Sequence, residues 1–234
     1  MSKISAIILG FFFVVGSFIM VFGASKAIVD IKSMERSVVV KGLSEKEVLA
    51  DVMIFPINFT RASNDLNVLY QELENDSKKI IEFLQKIGIQ AEEITIEAPK
   101  ITDKVGSAYG ESQSIVYRYS GEGRVLVYTN KVDLGRRALE KLTELGKEGT
   151  VVRVDDYEIE YLYTKLNEVK PEMVEEATFN AREVAQKFAQ DSQSTLGKIK
   201  KASQGQFSVS NRDRNTPHIK KVRVVSTIEY YLQD

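Results

Sequence analysis

The chain has no cysteine and only one histidine, His218. The first absence removes disulfides, thiolate metal sites and cysteine nucleophiles together, and it is compatible with every cellular compartment. The second leaves histidine-rich metal sites and most nucleophile triads without the residues they need. An excess of charge is missing as well. With 32 basic and 33 acidic residues the formal net charge is −1, so nothing draws in a polyanion and binding to nucleic acid through bulk charge is disfavoured. No glycine-rich phosphate cradle and no serine nucleophile elbow occurs. At 234 residues the chain can bury a real core, as one large domain or two small lobes.

What is present begins with residues 4–24, an uncharged run of Ile, Phe, Val and Gly. About 20 such residues span a bilayer core, whereas a secretory hydrophobic region usually runs roughly 7–15. Length favours an uncleaved membrane anchor over 1–25. The competing reading is a signal peptide cut near Gly23 or Ser25. Lys3 and the terminal amine precede the run, and Lys26, Lys32 and Arg36 follow it. A folded domain can nonetheless be translocated regardless of nearby charge, and a short amino-terminal tail suits a signal-anchor, which puts the bulk of the chain outside the cytoplasm. Residues 26–35 read as a polar tether, and 36–234 as the folded part.

The pattern is organised around a helix over 171–196. Ala177, Ala181, Ala185 and Ala189 recur every fourth residue, with Met173, Val184 and Phe188 read on the same side. Pro171 suits its first turn and Gly197 its cap. Ahead of it come strands at 36–41, leading to Gly42, and at 48–61, where Met53, Phe55, Ile57 and Phe59 alternate; Pro56 suggests an edge or a bulge. A first helix follows over 65–87, closed by Gly88, then a strand over 93–100 and a polar loop over 102–114. A strand over 115–129 is interrupted by Gly121 and Gly123, as a bulge or a hairpin. A second helix stops at Gly146. Tyr157, Ile159, Tyr161 and Tyr163 alternate in a strand over 151–164, and further strands cover 198–209 and 220–233. The order ββα-ββα-βα-ββ predicts an α+β fold of antiparallel sheets covered by helices, behind an amino-terminal hydrophobic membrane segment.

The run Glu176-Ala177-Thr178-Phe179-Asn180-Ala181-Arg182-Glu183-Val184-Ala185-Gln186-Lys187-Phe188-Ala189, followed by Leu196-Gly197-Lys198-Ile199, resembles the signature helix of SIMPL-domain proteins. Val38-Val39-Val40-Lys41-Gly42, Ile94-Thr95-Ile96 and Val132-Asp133-Leu134 resemble other landmarks of that family, in the same order. The resemblance covers roughly 36–233. It implies an exported α+β protein of the bacterial cell envelope; together with the hydrophobic run over 4–24, the expectation is a protein anchored in the inner membrane with its domain in the periplasm, or periplasmic if the amino-terminal segment is cleaved. It further implies assembly into a homo-oligomer and a structural or stress-related role, and it brings no catalytic residues with it.

The residues themselves offer little chemistry. Asp155, Asp156, Glu158 and Glu160 are the densest carboxylates, but in a strand three of them share a face opposite the tyrosines, which reads as a solvated surface. His218 sits in a polar loop without an evident partner. The sequon at Asn58 falls inside a strand and reads as coincidental. No catalytic residue, cofactor site or metal site is assigned, and the expectation is a non-enzymatic, self-assembling envelope protein whose partners are itself and, through residues 4–24, a membrane. Phe179, on the polar side of the long helix, is the candidate oligomer contact or else an ordinary exposed aromatic, and the loops 102–114 and 210–218 are candidate contact surfaces. The alternative is a periplasmic module that binds a peptide, lipid or small ligand; a hydrolase comes third.

Overall fold

The computed structural model describes residues 3–33, 36–107 and 116–233, and the side chains of the first stretch over 11–26. The chain opens with α1 (Lys3–Ser33) and continues through β1 (Ser37–Leu49), β2 (Val52–Ser63), α2 (Leu66–Ile87), β3 (Ile94–Asp103), α3 (Lys104–Ser107), β4 (Tyr119–Thr129), α4 (Val132–Lys141) and α5 (Thr143–Lys147). It then forms β5 (Val152–Arg153), β6 (Glu160–Leu162), α6 (Leu166–Asp191), β7 (Thr195–Gln204), β8 (Ser208–Asn211) and β9 (Ile219–Gln233). The fold is α+β with antiparallel sheets; leaving aside α1 and the single turn α3 and taking α4 and α5 together, its order is ββα-ββα-ββα-βββ rather than the expected ββα-ββα-βα-ββ.

These elements form two compact units. One comprises Met1–Lys46, Val169–Ser208 and Val222–Asp234; the other comprises Glu47–Glu168 and Val209–Lys221.

In the first unit, α1 carries exposed apolar side chains from Phe11 to Phe22. Among the described residues no helix is long and apolar enough to cross a membrane. The side chains of residues 4–10, which complete the uncharged run, lie outside the described set. The helix continues through 26–33, most of the segment read as a tether; 34 and 35 are not described.

The sheet order is β1-β9-β7, with β8 also on β9. β9 matches its expected strand closely: Val222, Val224, Ile228 and Tyr230 alternate into the core. β1 does not stop at Gly42. It runs straight through it, and a Cβ at that position would overlap the Ala177 carbonyl and the Ala181 nitrogen of α6. Glycine is there because helix and strand backbones touch, not because the chain turns.

α6 begins five residues before Pro171, which lies inside it, and ends before Gly197. Its terminus is closed instead by Gln193 in the left-handed region, with Ser194 N–H donating to the Ala189 carbonyl at 2.8 Å. Gly197 lies in β7 against Tyr231. Met173 and the four alanines are buried, whereas Val184 and Phe188 are exposed. An i+4 row drifts by about 40° per step, so the buried line winds around the helix and leaves these two residues on its flank.

In the second unit the sheet runs β3-β4-β2, and both β5 and β6 pair with β2 on its other side. Met53, Phe55, Ile57 and Phe59 of β2 pack with Leu69, Leu73, Ile80 and Leu84 of α2 and with Val125 and Val127 of β4. α2 starts from an Asp65 cap that accepts the N–H groups of Asn67 and Val68, and it ends at left-handed Gly88. Pro56 marks no bulge, but it lies where β2 has a local open edge. β6 pairs with residues 52–54 and β5 with 58–59, so the missing donor falls in the gap between two short strands. Gly121 and Gly123 form neither a bulge nor a hairpin, for β4 runs unbroken in register with β2. Phe59 faces Gly123 across the pair, and its ring occupies the space a side chain there would need. The irregularity lies in β3, between Glu97 and Lys100. Residue 146 does not stop a helix either; it lies within α5, and Gly149 takes the left-handed turn.

Candidate functional site

On α6, Asn180 donates to the Leu43 carbonyl at 2.8 Å, Ser44 donates to Glu176 at 2.6 Å, and Lys46 pairs with Glu172 at 2.6 Å. These bonds fix the rotation of the helix over β1. They leave Phe179 59% exposed and Phe188 56% exposed. Nine residues apart, the two rings lie on opposite flanks and do not merge into one apolar patch. The structure thus places the candidate contact residue Phe179 in solvent, on the helix side away from the alanine row.

Of the candidate loops, 102–114 begins as the end of β3 and the single turn α3. Asp103 accepts the Val105 and Gly106 N–H groups and pairs with Arg118 at 2.9 Å. Residues 108–114 lie outside the described set. The loop 210–218 is tightly organised. Asp213 accepts the N–H groups of Asn215 and Thr216 at 2.8 Å each, the Thr216 hydroxyl, and Arg212 Nε at 2.9 Å. The Thr216 hydroxyl, with Arg212, holds the Asp213 carboxyl far below the usual carboxylate range.

The tyrosine row is not one continuous strand; of its members Tyr161 lies in β6. Between β5 and β6 the backbone forms a 3-10 turn at Asp156–Glu158, which turns Tyr157 outward and leaves it 83% exposed. The carboxylates scatter with it. Glu158 accepts Asn58 Nδ2 at 3.0 Å and pairs with Arg124 at 3.3 Å, while Asp155 pairs with Arg153 at 3.3 Å. They belong to a ladder of alternating charges across the sheet, which also includes Glu97 and Glu122. Asn58 is itself buried and bonded to Glu158, so its sequon offers no accessible amide. Among the described residues no cluster of three His, Asp or Glu side chains could hold a metal ion.

His218 has more company than its sequence context suggests. Its carbonyl accepts the Ala50 N–H at 2.8 Å, and its ring centroid lies 6.0 Å from that of Tyr161. Burial, reinforced by Arg136 and Arg212, pushes its pKa below the ordinary 6.5, so at neutral pH the ring is uncharged. Nothing near residue 218 in the sequence announces this setting, which is assembled from β6, α4 and the 210–218 loop.

Comparison with known proteins gives one family. The sequence model of SIMPL, described as a protein of unknown function (DUF541), matches residues 38–227. No curated protein matches. A solved structure described as a "putative glycine cleavage system transcriptional repressor" aligns over 78% of this chain and 82% of its own, with 8% identity and a TM-score of 0.24, a value too low to carry any argument about this chain.

Proposed function

Because this chain belongs to the SIMPL family, whose function is unknown, we propose a non-enzymatic role for it: a membrane-anchored protein of the bacterial envelope that self-assembles through its SIMPL part. The observation that carries the reading is α1. Its side chains from Phe11 to Phe22 include no charge, and its apolar members are exposed. A helix that is apolar all round belongs in lipid or in a protein interior. On this reading the uncharged run over 4–24 sits in the inner membrane and the remainder lies in the periplasm, held to the bilayer by the continuation of the same helix.

Self-assembly is supported by what the first unit leaves open. β1 and β7 are the outer strands of the β1-β9-β7 path, and they carry exposed Val39, Leu43 and Ile199; Phe179 and Phe188 add exposed rings on α6. Open strand edges and single aromatic residues are surfaces that a closed homo-oligomer covers.

The absence of native cysteine provides a clean test of location. A Tyr157→Cys variant carries one thiol, at an exposed position whose one hydrogen bond among the described residues is to Asp155. We expect a membrane-impermeant maleimide to label it in intact spheroplasts, and the labelled chain to sediment with membranes after alkaline extraction. Labelling only after lysis, or release by alkali, would contradict the proposed topology.

A further inference from the structure

The second unit contains an open cavity of about 690 Å³ that the reading above does not use. Its walls come from α4, the turn before β6, β6 itself and the 210–218 loop, and its polar lining is predominantly cationic or hydrogen-bond donating. Arg136 and Arg214 both line it, and neither has an ion pair or hydrogen bond among the described residues. Their neighbour Arg212 offers a contrast, for it is neutralised by Asp213 at 2.9 Å and Glu47 at 3.4 Å. A guanidinium at a surface normally finds a carboxylate or water; two that line one hollow, with no carboxylate partner among the described residues, make it a candidate oxyanion site.

Other donors are arranged to match. Lys220, buried and without a carboxylate partner among the described residues, donates to Asn211 Oδ1. With its oxygen engaged, Asn211 has its Nδ2 group left to donate into the cavity it lines. His218 and Tyr161 form one wall, and the exposed ring of Tyr157 forms a second. Asp156 is the one acidic side chain in the lining; the Asp213 carboxylate is consumed by its own loop.

We propose that this cavity binds a small organic oxyanion, a carboxylate or a phosphate ester, with the acid group between Arg136 and Arg214 and the organic part against Tyr157 and Tyr161. The site is independent of the assembly reading: a monomer would hold it as well as a ring.

His218 supplies the readout, because the chain's one histidine gives a single imidazole signal. The full-length protein in detergent micelles is titrated with inorganic phosphate and, separately, with benzoate, while the His218 ring resonance is followed by NMR. A sodium chloride titration at matched ionic strength accompanies both. The site predicts a saturable shift with at least one oxyanion, absent with chloride, and weakened about tenfold or more in an Arg136→Gln/Arg214→Gln double variant. Saturation by phosphate alone assigns a phosphate ester, and tighter saturation by benzoate assigns an aromatic carboxylate. The variant is expected to fold, since neither arginine makes an ion pair or hydrogen bond among the described residues. Should it fail to do so, the wild-type comparison of oxyanion with chloride still decides. A shift that chloride reproduces, that never saturates, or that survives in the folded double variant overturns the proposal.

Discussion

One methyl group at residue 42 has nowhere to go. Changing Gly42 to alanine puts a carbon where the Ala177 carbonyl and the Ala181 nitrogen already stand, and both are backbone atoms of α6 that cannot rotate away. We expect the Gly42→Ala variant to lose about 1–3 kcal/mol of stability, the range for an overfilled contact, as a lower urea midpoint. An unchanged midpoint would mean that α6 does not rest on β1 at this point. Arg61 makes a second sharp case. It reaches the buried Asp76 carboxylate with two bonds, at 2.5 and 2.8 Å, while the Thr150 hydroxyl donates to the same group at 2.9 Å. Replacing Arg61 with methionine strands that carboxylate in the interior, at a cost of about 3 kcal/mol, measurable by the same unfolding curve. The Asp76→Asn change in an Arg61→Met background should restore part of the loss, because a neutral amide has less charge to strand.

Glu93 gives the pH dependence at this scale. Burial works to raise its pKa, but the Gln90 N–H, the Thr129 hydroxyl and Lys131 outweigh it and hold the carboxyl below the ordinary 4.5. A carboxyl depressed in the folded state adds stability that is present above the unfolded value and is lost as pH falls through the folded one. Melting temperature should therefore decline as pH drops below about 4.5, and the Glu93→Gln variant should show a shallower decline. Parallel curves for the two proteins would show that the three interactions at Glu93 do not act on folding.

At the level of the element, legibility followed the simplicity of the environment. α2 and β9 were readable almost to the residue: each buries a single face, α2 carries its own cap signals, and β9 alternates regularly along its buried stretch. The long α6 was readable as a helix but not in its limits or its flank, since a flat projection cannot show a buried row winding around the axis. Residues 151–164 misled because alternating tyrosines satisfy a strand pattern, whereas the charged turn at Asp156–Glu158 breaks the backbone between β5 and β6. Gly42, Gly121 and Gly123 read as punctuation when they are points of close approach, a distinction set by partners distant in sequence. The cavity at His218 was invisible for the same reason. Arg136, Tyr161 and Arg214 stand far apart along the chain, and no short motif links them. On α6 the exposed Phe179 has a direct consequence. If it lies in a contact between copies, Phe179→Asp should weaken association at least about tenfold, as a desolvated charge would, while leaving the unfolding midpoint near that of the wild type. Equal association by the variant in sedimentation velocity would remove Phe179 from the interface.

For the whole molecule, the family match extends over both compact units, from residue 38 to residue 227, so the SIMPL part is the pair of them rather than either alone. Its resemblance was readable from the alanine-bearing helix and three short landmarks, and at one of them the physical reason is visible: Gly42 sits where the β1 and α6 backbones meet, against Ala177 and Ala181. The organisation into two units was not readable, since both are built from segments that alternate along the chain. The central claim is that this SIMPL part assembles with copies of itself. The most direct test is the absolute mass of residues 36–234, determined by light scattering after gel filtration across the micromolar range. Self-assembly predicts one discrete mass that is a whole multiple of the protomer and is reduced by Phe179→Asp. A single protomer mass at every concentration, matched by a protomer mass for the full chain in detergent, would contradict it.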